Sequence, residues 1–506
     1  MIKNDFDVIV MGGGPAGSTV ASILAREGRS VVLFEKEQFP RHHIGESLMT
    51  DTFWTFQRMG LLEKLKASPF TRKYSVAFAN PAGKESRPFY FFEANHHESA
   101  VTWQVTRSEF DLMLITHAAE QGAVVHQKTQ VKQVLFEGDK AVGVEALMPD
   151  GSLQQFHAKV VVDATGQTAM LSNKFRWRQR DPKLKKAVLY SYFKGAHREP
   201  DLNGGATLVL RTEVGSNGWF WYIPLENDIT SVGVVADPDY LVKGRGQDLA
   251  KIFNEEVQKC EPCRRRVEGA ERVDKIYSIL DYSYRSKQNS GNGFILIGDA
   301  YGFLDPIYSS GVLLALKMAE LAADAIHDAF KHDDFSGERL GQFQPKLDQG
   351  IESMRKLVYA FYNEGFSFSQ FLRKYPEQRV NVILTFADAG SAWKALGDGY
   401  RVEARIVTWE SADVLKVPTG ALVRTGEQWA VFVVRDGLAQ RVTVSLGHQN
   451  GQEAEVTGGI DAGVLQRIVQ RRQEPALHVE RQLRVIDAED VGRRAGGQLR
   501  QHLVVE

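Results

Sequence analysis

The feature that most constrains the fold is a glycine-rich turn near the start of the chain, GGGPAG at residues 12–17. A short apolar run precedes it at residues 8–10, and residues with helical apolar spacing follow it to Leu24. Residues 30–34 form a second apolar run. This order of strand, tight turn, helix and strand predicts a Rossmann-type βαβ unit that binds a dinucleotide.

Each glycine of the turn has a physical role in this prediction. Gly12 permits the turn, Gly14 lets the backbone approach a pyrophosphate, and Gly17 lets the helix pack closely on the strand. The pyrophosphate would accept hydrogen bonds from free N–H groups at the helix start, around Ala16, where the helix dipole favours an anion. Glu35 ends the second strand, near the spacing at which a carboxylate accepts from a ribose hydroxyl.

Composition excludes several classes of function. The 62 lysines and arginines nearly balance the 63 aspartates and glutamates, and the formal charge of −1 provides no overall field to attract nucleic acid or anionic lipid. The N-terminus runs directly into the first strand, and no run of about eighteen apolar residues occurs. We therefore expect no nucleic-acid partner, no membrane span and a cytoplasmic location.

No metal site is expected. Cys260 and Cys263 form one C-x-x-C pair in a polar segment that is expected to be helical, and a structural zinc would need two further nearby ligands. The side chains of adjacent histidines, at residues 42–43 and 96–97, diverge from each other. We interpret the cysteines as two reduced thiols without a role.

Several motifs follow the glycine-rich unit. They are EK…FPR…GESL at 35–48, R-x-x-F-D at 107–111, D-A-T-G at 163–166, W-x-W-x-I-P at 219–224, G-D-A at 298–300 and F-x-x-P-x-x-S-x-G at 303–311. In this order they resemble the flavin-dependent halogenases and closely related flavoproteins, over roughly residues 5–390. W-x-W-x-I-P is the most specific of them. The resemblance implies FAD as the cofactor, where the glycine-rich turn alone leaves NAD and FAD open.

The resemblance also implies which residues contact FAD. Glu35 and Arg41 would lie on the adenosine side, residues 45–47 on the isoalloxazine side, Arg107 against the flavin and Asp299 on the ribityl chain. The remaining members of the set are Asp163, Gly311, Gly12, Gly14, Ala16 and Gly17. An arginine at a helix N-terminus can equally be a surface ion-pair partner, and this alternative stays open for Arg107.

One lysine stands where the halogenases keep their essential amine. Residues 70–78 are predicted as one strand, which contains Lys73. Hypohalous acid is promiscuous, and an amine that hydrogen-bonds it or becomes a haloamine would deliver electrophilic halogen beside the substrate. Glu46 and Ser47 complete the set of catalytic candidates. The alternative is a solvated strand lysine without a role, such as Lys84 nearby.

Trp219 and Trp221 are expected to form an aromatic wall. Residues two apart in a strand lie on the same face, so Phe220 would point to the opposite face. Such a pair also occurs in ordinary sheet cores. The resemblance implies that the wall separates the substrate from the flavin, so that halide and not an aromatic ring meets the activated cofactor.

The last motif predicts a halide site. The resemblance implies that the amides of Ser310 and Gly311 hold chloride or bromide, with Pro306 and Ser309 in the preceding turn. The helix that begins here has free N–H groups, which suit an anion. Tryptophan-specific halogenases carry a glutamate where this chain has Tyr308, and the motif is typical of halogenases that favour phenols and pyrroles. Free tryptophan is therefore not the expected substrate.

The composition changes near Lys394. From residue 395 onwards the chain contains one lysine, Lys416, whereas arginine remains frequent. The runs D-V-L-K-V-P and W-A-V-F-V-V resemble the β-barrel part of HlyD-type periplasmic adaptors of RND efflux pumps. The chain encodes neither the hairpin nor the pump that such adaptors need, so we interpret this segment as a fused fragment without a transport function.

The predicted fold is α/β: a Rossmann-type FAD-binding domain of the GR2 or p-hydroxybenzoate hydroxylase type, an inserted antiparallel-sheet substrate domain, C-terminal helices and a small β-rich appended segment. The predicted boundaries are 1–175 for the FAD-binding domain with strands 73–104 on the substrate side, 176–284 for the substrate-side sheet, 285–330 for the return to the FAD-binding domain, 331–390 for the helical region, 396–466 for the adaptor-like segment and 467–506 for a disordered tail.

These observations predict a flavin-dependent halogenase that acts through Lys73. A separate flavin reductase would supply reduced FAD, oxygen and halide would give hypohalous acid, and a phenol or pyrrole, free or tethered to a carrier protein, would be halogenated. An FAD monooxygenase or a dehydrogenase of the geranylgeranyl-reductase type would use the same FAD residues. A third possibility is a flavin-bound or adaptor-like binding protein without turnover.

Overall fold

The structure is a computed structural model that describes residues 4–212 and 217–363, residues 373, 374 and 376, and a set of segments between 406 and 503. The chain forms two compact units, Met1–Tyr400 and Arg401–Glu506.

The first unit mixes strands and helices. Its strands are β1 (Asp5–Met11), β2 (Val31–Phe34), β3 (Thr71–Lys73), β4 (Ser75–Ala79), β5 (Phe89–Tyr90), β6 (Thr102–Gln104), β7 (Val124–His126), β8 (Gln130–Glu137), β9 (Lys140–Leu147), β10 (Leu153–Asp163), β11 (Arg178–Arg180), β12 (Ala187–Lys194), β13 (Thr207–Arg211), β14 (Trp219–Pro224), β15 (Ile229–Ala236), β16 (Glu271–Arg272), β17 (Tyr277–Leu280), β18 (Tyr284–Ser286), β19 (Ser290–Gly291), β20 (Phe294–Leu296) and β21 (Gly302–Phe303). Its helices are α1 (Pro15–Arg26), α2 (Thr52–Met59), α3 (Leu62–Ala67), α4 (Arg107–Glu120), α5 (Met170–Lys174), α6 (Pro238–Leu241), α7 (Leu249–Lys259), α8 (Glu261–Val267), α9 (Ser310–His332), α10 (Gly337–Leu340) and α11 (Gln344–Tyr362).

The first large sheet is the predicted nucleotide-binding sheet. Its parallel strands run in the order β20-β10-β1-β2-β7, and β9 and β8 extend it as an antiparallel pair from the first half of β10. β1 ends at the glycine-rich turn, where Gly12 has a φ of +105°. A methyl group on Gly17 would overlap the carbonyl oxygen of Gly12, so only glycine lets α1 start this close to β1. The strand–turn–helix–strand unit is confirmed.

The second large sheet is antiparallel except at one pair. Its order is β16-β12-β15-β14-β13-β4-β5, with β17 also on β12, and β13 runs parallel to β4. Trp219 and Trp221 face the main hydrophobic core, while Phe220 packs on the other face with α7 and α8, as the alternation predicts. Cys260 and Cys263 are free, buried thiols in this second core.

The structure corrects one predicted element. Residues 70–78 do not form one strand, because the chain passes from one sheet to another at Tyr74. β3 pairs with β6, so that Lys73 lies opposite Thr102, whereas β4 joins the second large sheet. Between β15 and β16 lie the helices α6 to α8, and α8, which contains Cys263, confirms the helix expected around the two cysteines.

The second unit is rich in strands, as predicted. They are β22 (Ile406–Ser411), β23 (Lys416–Pro418), β24 (Val423–Thr425), β25 (Gln428–Arg435), β26 (Leu438–Gln449), β27 (Glu453–Gly458), β28 (Val469–Arg471), β29 (Leu483–Val485) and β30 (Leu499–Leu503). The order β23-β27-β26-β25-β24 makes a five-stranded antiparallel sheet with its own small core of valines, alanine and isoleucine. Of residues 467–506, which are predicted to be disordered, the structure describes the strands β28, β29 and β30, and the others lie outside the described residues.

Two searches concern the described residues alone. None of their helices is long and apolar enough to cross a membrane. Nor do these residues contain a group of three or more histidine, cysteine, aspartate or glutamate side chains that could hold a metal ion.

Candidate active site

The glycine-rich turn, β2 and the following loop form a cradle for a nucleotide. Glu35 is buried at the end of β2, where its Oε2 accepts from the backbone N–H of Gly13 at 2.8 Å. No side chain caps α1, so the N–H groups of its first turn stay available to a ligand. Arg41 lies beside Gly14, with Nη2 3.6 Å from the position of a Cβ there. Gly14 has no side chain to block a ligand, the first-turn amides of α1 are free to donate, and the Arg41 guanidinium lies beside them. Together these groups fit the pyrophosphate of FAD.

Arg107 is buried at the start of α4, with 4% of its side chain exposed, so the alternative of a surface ion pair is wrong. Its Nε and Nη2 donate to the two oxygens of Asp111 at 2.8 and 3.0 Å, and its Nη1 donates to the carbonyl of Ile44. Asp111 also pairs with Arg41 at 3.3 Å. Burial opposes the charge of Arg107, but Asp111, Glu46 and Asp299 outweigh it and raise the pKa of the guanidinium. The sequence reasoning missed Asp111, although its spacing of four residues from Arg107 in a helix was a usable signal.

The two predicted aspartates at the strand ends differ in their surroundings. Both oxygens of Asp163 are used locally, because they accept from Thr165 N at 3.0 Å, Thr165 Oγ1 at 2.6 Å and Leu171 N at 2.7 Å. Asp163 thus shapes the turn after β10. Asp299 follows β20, and its burial raises the pKa of its carboxyl to about 6 even though Arg107 opposes this. Of the two, Asp299 has the carboxylate better placed to accept from a ligand.

Lys73 is not a solvated lysine, since only 2% of it is exposed. Its Nζ lies within hydrogen-bond distance of Ser47 Oγ, at 2.9 Å, and donates to the carbonyl oxygen of Leu48 at 3.1 Å. The ring of Phe91 lies 5.5 Å from Nζ. No carboxylate in the described part of the chain forms an ion pair with this amine, and burial lowers its pKa to about 7. An amine with this pKa is substantially neutral at physiological pH.

The GES segment is tied to the second large sheet and, through Gln104, to the β3–β6 pair. Ser47 Oγ lies 2.9 Å from Thr207 Oγ1 on β13, and Thr207 Oγ1 also accepts from Gln104 Nε2 at 2.7 Å. Glu46 accepts from the Tyr192 hydroxyl at 2.9 Å on Oε1, and burial raises the pKa of its carboxyl in spite of that hydrogen bond. No sequence pattern pointed to Thr207, Gln104 or Tyr192, because these contacts join strands far apart in the chain.

The two tryptophans of W-x-W-x-I-P form the expected wall on one face of the sheet. Their ring centroids are 6.2 Å apart, and both side chains belong to the main core. Trp221 Nε1 donates to Ser231 Oγ at 3.1 Å, and its indole covers Gly233, where any Cβ would overlap the ring. Trp219 Nε1 donates to the Tyr362 hydroxyl at 3.0 Å, so α11 secures one end of the wall.

The predicted halide segment forms a turn that leads into α9. Pro306–Tyr308 is a short 3-10 helix, Ser309 takes a left-handed conformation with φ +56°, and α9 starts at Ser310 without a side-chain cap. The amides of its first turn, Gly311 included, therefore lack intrahelical partners. The Tyr308 hydroxyl donates to the Leu357 carbonyl at 3.0 Å and is not free to act as a base. In the part of the chain that the structure describes, these amides and the Lys73 amine share no direct contact.

Asp305 and Tyr362 connect this turn to the tryptophan wall. The Tyr362 hydroxyl accepts from Trp219 and donates to Asp305, 3.1 Å from Oδ2, while Asp305 Oδ1 accepts from Ile307 N at 3.0 Å. Asp305 is buried, and burial raises the pKa of its carboxyl to about 7. The sequence reasoning missed both residues. Asp305 was visible within F-x-x-P-x-x-S-x-G, but Tyr362 lies in a separate helix as one of several aromatic residues, and such an aromatic stripe is more often core than part of a site.

Fold and cradle together define an FAD-dependent oxidoreductase, and comparison with known proteins agrees. Residues 7–173 match the FAD-dependent oxidoreductase family and residues 93–370 match the tryptophan halogenase family. The chain belongs to the tryptophan halogenase family of flavin-dependent halogenases. Residues 414–471 match the C-terminal permuted SH3-like domain of YknX, in line with the predicted adaptor-like segment.

Three similar proteins illustrate the relationship. The 1H-pyrrole-2-carbonyl-[peptidyl-carrier protein] chlorinase of Pseudomonas fluorescens is 32% identical over 406 residues, which are 76% of this chain and 89% of the relative. The corresponding brominase of Pseudoalteromonas luteoviolacea is 36% identical over 334 residues, or 65% of this chain and 79% of the relative. The structure of the myxobacterial chondrochloren halogenase CndH superposes with a TM-score of 0.67 at 31% identity and covers 76% of this chain and 91% of its own.

Proposed function

We propose that this flavin-dependent halogenase chlorinates or brominates a pyrrole held as a thioester on a peptidyl carrier protein, and that Lys73 transfers the halogen. The observation that carries the role of Lys73 is a buried amine, hydrogen-bonded to Ser47, that has no anionic partner among the described residues. The pyrrole and the carrier protein are the substrates named for the two curated relatives reported above. Tyr308 in place of a glutamate agrees with a substrate other than free tryptophan.

When bound, reduced FAD with oxygen supplies the oxidising equivalent that turns halide into hypohalous acid. The amides at the start of α9 would hold the halide, and the Trp219–Trp221 wall would keep the aromatic substrate apart from the cofactor. Glu35, Arg41, Arg107 and Asp299 would hold the cofactor. A separate flavin reductase as electron donor and a cytoplasmic location belong to the same proposal.

The neutral Lys73 amine would react with hypohalous acid, so that one N–H is replaced by an N–halogen bond and water leaves. The haloamine would then donate its halogen to an electron-rich carbon of the pyrrole, and the proton lost from that carbon would return to the amine. Atoms and charges balance in both steps. The reaction needs an unprotonated amine, which the burial of Lys73 favours.

The test is halogenation of a carrier-bound pyrrole by the purified chain with a flavin reductase, NADH, FAD and bromide or chloride. Intact-protein mass spectrometry of the carrier would detect one or more halogen substitutions. Free pyrrole-2-carboxylate and a panel of phenols, run in parallel, decide whether tethering matters. Lys73→Ala is expected to abolish product, whereas Lys84→Ala, at an exposed lysine nearby, keeps it.

Two results would contradict the proposal. Full halogenation by Lys73→Ala would remove the lysine from the mechanism. Rapid NAD(P)H oxidation by the chain without a reductase, and no halogenated product from any substrate of the panel, would favour the FAD monooxygenase or the reductase that the same FAD residues also serve.

A further inference from the structure

The Lys73 amine ends a chain of buried hydrogen bonds that crosses three strands. Gln104 Nε2, on β6, donates to the carbonyl oxygen of Gly205 at 3.1 Å and to Thr207 Oγ1 at 2.7 Å. Thr207 Oγ1, on β13, lies 2.9 Å from Ser47 Oγ, and Ser47 Oγ lies 2.9 Å from Lys73 Nζ. Gln104, Thr207, Ser47 and Lys73 are all buried, so water does not compete for these bonds.

Gln104 sets the direction of this chain. A carbonyl oxygen can only accept, so the amide nitrogen of Gln104 must face Gly205, and its second N–H then points to Thr207 Oγ1. Thr207 accepts that hydrogen and still has its own to donate. Among the hydrogen bonds of the described residues, the acceptor for it is Ser47 Oγ. Thr207 therefore donates to Ser47.

The two protonation states of Lys73 differ in how well they complete this chain. A charged ammonium would donate to Ser47 Oγ, which already accepts from Thr207, and the Ser47 hydrogen would be left buried without an acceptor. A neutral amine has a lone pair that accepts the Ser47 hydrogen, and it can still donate to the Leu48 carbonyl. Among the hydrogen bonds of the described residues, the neutral state leaves one donor of this chain without an acceptor, an amine N–H, whereas the charged state leaves two, an ammonium N–H and the Ser47 hydroxyl.

We propose that Gln104 and Thr207 are positioning residues that direct the Ser47 hydroxyl hydrogen toward the Lys73 amine and so keep that amine ready to react. The inference rests on the proposed role of Lys73 in halogen transfer, and it adds two residues that act on the amine through Ser47. The haloamine step needs the lone pair of the amine, and a hydrogen-bond donor at Ser47 stabilises the state that has one.

The test is the protonation midpoint of Lys73, measured by NMR in the full chain labelled with ¹³Cε-lysine. The Lys73 signal is assigned by its absence from Lys73→Met. Thr207→Val removes the donor with little change in shape, and we expect the midpoint to rise by about 1 pH unit, the equivalent of one lost hydrogen bond. Thr207→Ser keeps the hydroxyl and is expected to keep the wild-type midpoint. Thr230→Val, at a buried threonine of the same sheet outside the chain, is the matched control.

An unchanged or lowered midpoint in Thr207→Val would overturn the proposal, as would an equal rise in Thr230→Val. If Thr207→Val does not fold, Gln104→Leu removes the first donor of the chain and must raise the midpoint in the same direction. Because the measurement needs no turnover, it separates the two proposals. A raised midpoint together with an active Lys73→Ala would refute only the role of Lys73 in catalysis.

Discussion

A buried amine without an anionic partner is costly in its charged form, and Lys73 is such an amine within the part of the chain that the structure describes. Lys186 shows the alternative, because it is equally buried but pairs with Asp237 at 2.6 Å and lies 3.9 Å from the ring of Tyr362. The two lysines therefore have opposite chemistry in one fold. Lys186 forms an ion pair with Asp237 where β12 begins and β15 ends, while the lowered pKa of Lys73 keeps a reactive lone pair within reach of neutral pH.

The pH dependence of stability should reveal this difference. Between pH 7 and the ordinary lysine range, the unfolded chain holds a proton on Lys73 that the folded chain has released, so stability rises with pH in this window. Lys73→Met removes the charge, and we expect it to be more stable than the wild type at pH 7, by on the order of 4 kcal/mol, with the advantage shrinking toward pH 10.

Urea unfolding at a series of pH values measures this difference, with Lys84→Met as the control that should follow the wild type throughout. A constant difference between Lys73→Met and the wild type from pH 7 to pH 10 would mean that the amine is charged in the folded state.

At the scale of elements, two glycines of the glycine-rich turn serve different purposes: Gly17 allows the helix to pack on the strand, and Gly14 leaves room for the cofactor. A methyl group on Gly17 overlaps the Gly12 carbonyl, whereas one on Gly14 meets only Arg41 Nη2 at 3.6 Å. We expect Gly17→Ala to destabilise the protein by about 2 kcal/mol or more through overpacking. Gly14→Ala should keep its stability and bind FAD at least tenfold more weakly, because the methyl group occupies the approach to the pyrophosphate.

Thermal unfolding of the FAD-free protein and a flavin-fluorescence titration measure the two effects separately. Equal FAD affinity in Gly14→Ala and the wild type would place the pyrophosphate elsewhere.

Helix α11 supports both the tryptophan wall and the halide turn. Its Tyr362 links the Trp219 indole to Asp305 at the head of the halide turn. Tyr362→Phe would leave a buried N–H and a buried carboxyl without this partner, and we expect a loss of about 2 kcal/mol in unfolding free energy. We also expect a higher KM for bromide, because the turn before Ser310 loses a support.

Tyr240→Phe, which removes a hydroxyl that bonds Glu256 on a peripheral helix, is the control for stability and should leave the bromide KM unchanged. An unaltered bromide KM in Tyr362→Phe would show that the halide turn holds its shape without α11.

At the scale of the whole molecule, every residue assigned to the candidate site lies in the first of two compact units. The second unit has its own antiparallel sheet and its own core of valines, including Val417, Val431 and Val444. We expect a chain that ends at Tyr400 to bind FAD and to halogenate at rates within about twofold of the full chain. FAD titration and product formation by both forms test this, and a truncated chain that fails to fold or loses most of its activity would assign the second unit a part in the enzyme.

Some features of the candidate site could be predicted from the sequence and others could not. The glycine-rich turn, the alternation of Trp219, Phe220 and Trp221, and the start of α9 were predicted because each depends on residues adjacent in the chain. The βαβ unit depends on glycines at the turn and on apolar strands beside it, and both can be read from a short stretch of sequence. The two-residue period of a strand likewise shows which side chains share a face without knowledge of the fold. The family itself was recognisable from motifs of this local kind.

Only the tertiary structure decided the surroundings of these residues. Residues 70–78 have the composition of one strand, but they serve two sheets, and this division at Tyr74 places Lys73 beside Ser47. Whether that lysine is solvated or buried, and thus whether its amine is charged or neutral, depends on Thr207 and Phe91, which no spacing connects to it. The sequence alone determined the fold class through local geometry, and it indicated the cofactor and the family through the resemblance of its motifs. Burial and long-range hydrogen bonds, which exist only after the sheets have packed, decided the pKa of the Lys73 amine.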